Sequence, residues 1–196
     1  MKTFLSILAQ HQAVIEQLAN NNNEIEAAGT ILIDTLKRGG KILLCGNGGS
    51  AADCQHIAAE FVVRYEKNRK ALPAIALTTD TSILTASAND FDFNSVFSRQ
   101  VEALGNANDC LIAISTSGRS GNVIAAVTAA KSKGMKVIAL TGCEESELSQ
   151  LASLTVKVPS SVTARVQEAH ILIGHWWCAV VEDAFSLEAG NADGNP

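Results

Sequence analysis

The chain has 196 residues, 47% of them hydrophobic and only 18% charged. That is enough length and apolar content to bury a core without metal or disulfide staples, and it excludes a disordered or collagen-like chain. Twenty acids against fifteen bases leave a net charge of −5, which argues against a broad electrostatic grip on nucleic acid. Six Phe, two Trp and one Tyr also give little material for stacking bases.

In chain order, residues 3–20 and 23–38 carry helical patterns interrupted by the asparagine cluster at 20–23. Five short apolar runs follow: KILLCG at 41–46, PAIALT at 73–78, DCLIAIS at 109–115, KVIALTG at 136–142 and LTVKVP at 154–159. Each is continuously apolar rather than alternating, as in parallel strands covered on both faces. Helical patterns lie between them at Ser50–Val63, Ser82–Leu104, Gly121–Lys133 and Glu145–Leu151. The alternation predicts a doubly wound α/β sandwich around a parallel sheet of about five strands, in one domain over residues 1–196. Its parts are N-terminal helices at 1–38, an α/β core at 39–160, a C-terminal helix at 161–187 and a flexible tail at 188–196.

The C-terminal helix is apolar on nearly all sides, so it must be buried, and a bundle shared between subunits would do this. Its least charged stretch, Ala169 to Val181, is shorter than the ~20 apolar residues of a membrane span. The N-terminus has no signal-peptide pattern. The five cysteines, without CxxC spacing, read as buried reduced thiols. Together these features give the expectation of a cytoplasmic oligomer with no membrane or nucleic-acid partner.

Two turns have the chemistry of a ligand site. The first, CGNGGSAAD, joins a strand to a helix, so glycines permit close approach and the helix offers unpaired N–H groups to an anion. Gly46, Gly48 and Ala51 also fit a dinucleotide fingerprint, but the acid at the end of the next strand, Asp80, stands 34 residues after Gly46 rather than ~20. The second turn, ISTSGRSGN, places four hydroxyls and an arginine at the mouth of a helix, a design for a phosphate monoester. It lacks the lysine of a nucleotide-hydrolysing loop. The plain alternatives are a tight strand–helix turn without ligand at the first and a capped helix without ligand at the second.

His56 and Glu60 share a helical face. They could hold a metal, act as base and orienting partner, or form a surface contact. On the last helix Gln167, Glu168, His170 and His175 interrupt an apolar stretch, either as core polar residues or as a functional cluster.

In combination, CGNGGSAAD, HIAAE, AND followed by FDFN, ISTSGRSGNV and RVQEAHILIGH resemble the sugar-isomerase (SIS) domain family, and within it the branch acting on sedoheptulose 7-phosphate. The resemblance covers the chain to about residue 185. It implies conversion of that ketose to D-glycero-D-manno-heptose 7-phosphate through an enediol, toward heptose for lipopolysaccharide or related glycans. It also implies a homotetramer with active sites between subunits, and one zinc ion per subunit. By position, Asn47, Gly48, Gly49, Arg64, Asn89, Asp90, Ser115, Thr116, Ser117, Ser120 and Gln167, with Glu60, would bind substrate. Glu60 and His175 would be the acid/base pair, and His56, Glu60, Gln167 and His175 the metal ligands. Arg119, where the family often has asparagine, and Val62-Val63, in place of a commoner Thr-Gly, depart from the pattern.

Gln167 and His175 stand eight residues apart, ~12 Å on an ideal helix, so one metal does not readily accept both from one straight helix. Either the backbone is irregular near Gly174 or the two come from different subunits. Two other readings remain: a non-catalytic tetramer that binds a replication initiator protein, and a sugar-phosphate-sensing regulatory domain. Retention of Glu60 and His175 argues against the first, and the lack of a DNA-binding module against the second.

Overall fold

The computed structural model describes residues 1–189. Five parallel strands, β1 (Ile42–Gly46), β2 (Ala74–Ala76), β3 (Cys110–Ile114), β4 (Lys136–Thr141) and β5 (Leu154–Lys157), form one sheet in the order β2-β1-β3-β4-β5. Every residue of β1 and β3 is buried, which explains their unbroken apolar sequence. Successive side chains alternate between two cores. Ile42, Leu44, Ile112, Ile114, Ile138 and Leu140 face one side, and Leu43, Cys45, Leu111, Ala113, Val137 and Ala139 face the other. At the base of the sheet the buried Asp109 accepts from the backbone N–H of Lys41 at 2.9 Å and pairs with its Nζ at 2.5 Å. This ties β1 to β3 across 68 residues.

The first core is covered by α1 (Phe4–Leu18), α2 (Asn22–Lys37), α3 (Gly49–Val62) and α8 (Thr163–Ala189), the second by α5 (Ser95–Leu104), α6 (Gly121–Ser132) and α7 (Glu147–Leu151). A 3₁₀ turn at Ala19–Asn21 joins α1 to α2, at the expected asparagine cluster. The helix expected over Ser82–Leu104 is instead two, α4 (Thr81–Asp90) and α5. Asp92 breaks it by accepting from the N–H of Ser95 at 2.9 Å, while the Ser95 hydroxyl donates to the Asp92 carbonyl at 2.8 Å. Such local side-chain bonds compete with helix continuation.

Much of the apolar surface of α8 is buried within this chain. Trp177 is fully enclosed and its indole N–H donates to the Ile25 carbonyl at 3.0 Å. Only a strip including Leu172 and Trp176 stays exposed. Glu168 does not join a polar cluster: it pairs with Arg165 and with His11 of α1 at 2.8 Å, fastening α1 to α8. The tail expected over 188–196 is helical at its first two positions and beyond Ala189 lies outside the described residues. Four cysteines are buried, but Cys143 is exposed. Among the described residues no helix is long and apolar enough to cross a membrane.

Candidate active site

The strand order reverses between β1 and β3, and a crevice opens beyond their carboxyl ends, where ligands bind in open α/β sheets. A cavity of about 250 Å³ there is lined by Asn47, Gly48, Gly49, Ser50, Ser115, Thr116, Ser120, Thr163 and Gln167. Three helices begin at this cavity: α3 at Gly49, α6 just after Ser120, and α8 at Thr163. Gly48, at φ +56°, caps α3 without a side chain, and Ser120 makes no side-chain cap to α6. The N–H groups of Ala51 and Val123 turn back to the carbonyls of Gly48 and Ser120, which leaves the N–H groups of Gly49 and Ser50 in α3 and of Gly121 and Asn122 in α6 to meet an anion. Among the described residues no acid, lysine or arginine lines the cavity, so hydroxyls and helix dipoles set its polarity. Ser115 Oγ lies 3.0 Å from Ser120 Oγ and accepts from the Gly118 N–H at 3.1 Å, which fixes the loop.

The two turns are locked to each other. Asn47 donates to Asn122 Oδ1 and accepts from Asn122 Nδ2, both at 2.8 Å, and Asn122 Oδ1 also accepts from the Val123 N–H. Sequence reasoning did not single out Asn122, Ser50 or Thr163. The available signal was position, the first residues of helices that open at a ligand turn.

A second cluster lies farther along α3. His56 Nε2 and His175 Nε2 are 2.9 Å apart, within hydrogen-bond distance, so one ring donates to the other. Glu60 Oε1 lies 3.5 Å from His56 Nε2, and the Tyr65 ring lies 5.8 Å from that of His175. Asp53 is on the same stripe of α3, one turn before His56. Its Oδ2 is buried with no hydrogen-bond partner among the described residues. Burial pushes its carboxyl up, against the pull of His56 and His175.

The two clusters are the two ends of one seam, because α3 and α8 run side by side in the same direction. At the cavity end a Cβ on Gly49 would fall 2.5 Å from Gln167 Nε2; at the other, a Cβ on Gly174 would fall 2.6 Å from Ile57 Cδ1. Glycine at these positions permits the close approach that brings His56 to His175. His170, between the ends, faces inward, fully buried. Its Nε2–H donates to the Thr141 carbonyl at 3.2 Å, and burial brings its pKa down to about 4.

This arrangement corrects the zinc expectation. Among the described residues, no group of three or more His, Cys, Asp or Glu side chains is placed to hold a metal ion. Of the four expected ligands, His56 and His175 turn their Nε2 atoms toward each other, while Gln167 lines the hydroxyl cavity at the other end of α8. Nor do all expected substrate residues meet. Ser117 lines a neighbouring cleft with Cys143 and Ser160, and Arg119, the departure from the family pattern, lies there too. Asn89 and Asp90, bonded to each other at 2.8 Å, are exposed at the end of α4. Arg64 follows α3 in an exposed turn beside the exposed Val62 and Val63.

Comparison with known proteins identifies the family and the fold. The SIS domain family matches residues 7–142. A phosphoheptose isomerase of Campylobacter jejuni is 52% identical over 176 residues, covering 90% of this chain and 95% of its own. The solved phosphoheptose isomerase of Neisseria gonorrhoeae superposes with a TM-score of 0.87 at 43% identity, over 91% of this chain and 96% of that one. For the phosphoheptose isomerase of Francisella tularensis the TM-score is 0.85 at 37% identity, over 93% and 100%. With the motifs carried on a matching sheet and along most of the sequence, the chain belongs to the SIS domain family, on its phosphoheptose isomerase branch.

Proposed function

We propose that the protein isomerises sedoheptulose 7-phosphate to D-glycero-D-manno-heptose 7-phosphate, the opening step toward activated heptose for lipopolysaccharide core or related glycans. The observation that carries this reading is the cavity at which three helices begin, joined along one seam to Glu60 and the His56–His175 pair. The names of the relatives support it.

In this reading the phosphate docks on Ser115, Thr116 and Ser120 and on helix N–H groups, with Asn47, Gly48, Gly49 and Gln167 beside the sugar and Ser117 shaping the loop. After ring opening, the Glu60 carboxylate takes a proton from C1 while a protonated His175 gives one to the C2 carbonyl oxygen, forming the enediol. Glu60 then returns its proton to C2 and His175 recovers one from O1, leaving the aldehyde at C1. Each proton taken is given back, as isomerisation requires. Positioned groups of this kind contribute typically ~10²–10⁴-fold each. His56 orients the His175 ring through their Nε2–Nε2 contact, and Arg64 offsets charge on the oxygens.

The same reading places Asn89 and Asp90 at a site completed by a neighbouring subunit of a homotetramer. The exposed Leu172–Trp176 strip, beside an apolar cleft of about 280 Å³ that includes Ile15, Leu18 and Ile25, supports assembly. A cytoplasmic location fits free thiols, which persist in reducing compartments. The test is incubation of pure protein with sedoheptulose 7-phosphate and detection of an aldoheptose phosphate by NMR. Binding without conversion would move the protein to the non-catalytic class.

A further inference from the structure

A buried ion pair lies outside both the cavity and the proton-transfer cluster. Arg69 Nε is 3.2 Å from Glu182 Oε1, and the two side chains are 1% and 2% exposed. The same carboxylate accepts the backbone N–H groups of Tyr65 at 2.9 Å, Glu66 at 2.7 Å and Lys67 at 2.6 Å. Burial opposes the charge on Glu182, but these N–H groups and Arg69 hold its carboxyl below the usual range. Arg69 also donates to the carbonyls of Glu60 at 2.7 Å and Phe61 at 2.8 Å, capping α3 at the residue that carries the proposed base.

Such a pair is weak evidence for stability, because desolvation offsets the attraction and apolar replacements often do as well. Its points of attachment indicate a different use. One end grips the backbone of Glu60. The other stands on α8 seven residues beyond His175, two turns along the same helix. Between them, the three N–H bonds hold the turn that carries Arg64 and the Tyr65 ring against His175.

We infer that Arg69 and Glu182 are positioning residues that set the spacing between Glu60 and His175, an inference resting on the isomerase reading above. The phosphate cavity is at the far end of the seam, so the pair acts on turnover and not on binding.

Glu182→Gln and Arg69→Lys are the test, each made in the full chain and checked for wild-type mass and circular dichroism. The expected result is a kcat lower by ~10–100-fold with KM nearly unchanged, since small misplacements of reacting groups cost this much. In a Glu60→Gln background the same substitutions should cause no further loss, whereas a merely structural role would lower activity equally in both backgrounds. The ¹⁵N imidazole resonances of His56 and His175 should shift in both variants. If Glu182→Gln fails to fold, Arg69→Lys carries the test, because it leaves the carboxylate on its three N–H groups. Unchanged kcat with unchanged imidazole resonances, or equal losses in both backgrounds, would overturn the inference. If the wild type does not convert the ketose phosphate, the isomerase reading fails, and the imidazole spectra alone decide whether the pair positions His175.

Discussion

Glu60 is 22% exposed at its side chain and faces the paired imidazoles, so it can meet a substrate carbon and still be held in place. Replacing it with Gln keeps shape and removes the proposed base. Turnover is expected to fall ~10²-fold or more with the oligomer intact, and steady-state kinetics beside light scattering will show whether it does. His170 makes a different kind of prediction. It is neutral in the fold, with a pKa lowered to about 4, against ~6.5 in an unfolded chain. Below pH 6.5 the unfolded state therefore takes a proton that the folded state refuses. The resulting stability loss grows as pH falls from 6.5 to about 4 and then levels off, at about 3 kcal/mol. Urea midpoints across this range should fall in the wild type and fall less in His170→Gln; identical slopes would assign the acid sensitivity elsewhere.

Among elements, the α3–α8 seam is the most sensitive joint. Gly174→Ala would press a methyl onto Ile57 Cδ1, an overpacking that costs about 1–3 kcal/mol. Because His175 is next in the chain, melting temperature and turnover should fall together. Adding Ile57→Val removes Cδ1 and should restore much of both. The seam shows how far sequence could lead. The inner strands β1, β3 and β4 were legible because both faces are buried, which leaves continuous apolar runs such as Leu43-Leu44-Cys45. The hydroxyl loop was legible because its chemistry is local. The direction of a side chain is not local: His56 and Glu60 share a face by spacing, yet only packing turns the His56 ring toward His175 and away from a metal-binding set. The α4–α5 break was written in Asp92 and Ser95 but hidden inside a helical pattern. Trp176 and Trp177 are adjacent in sequence and differ completely in environment, which helix rotation decides.

For the whole molecule, that difference identifies the residue that reads out assembly. A charge at Trp177 would break the core of one chain. Trp176, beside the apolar cleft, is the residue whose replacement tests contact between chains. If the proposed tetramer forms through this strip, Trp176→Glu is expected to lower the particle mass in light scattering while circular dichroism stays that of the wild type, since an unpaired charge in an apolar interface is costly. A wild-type monomer with full activity would remove assembly from the account of the site.

Because α3 and α8 run together from the hydroxyl cavity to the imidazole pair, the proposed site would measure length. Gln167 and His175 stand ~12 Å apart along the helix, so in the proposed reading the phosphate anchor lies at one end and the reacting carbons at the other. A ketose phosphate with two fewer carbons would satisfy the same hydroxyls and still hold its C1 short of Glu60. Discrimination then needs no contact that rejects the shorter sugar. Such a pentulose phosphate is expected to compete for the cavity yet turn over ~10²-fold more slowly, the penalty of misplaced reacting groups. Equal turnover of the two sugars would mean that the phosphate slides along the seam, and that the protein recognises an end group without gauging the chain attached to it.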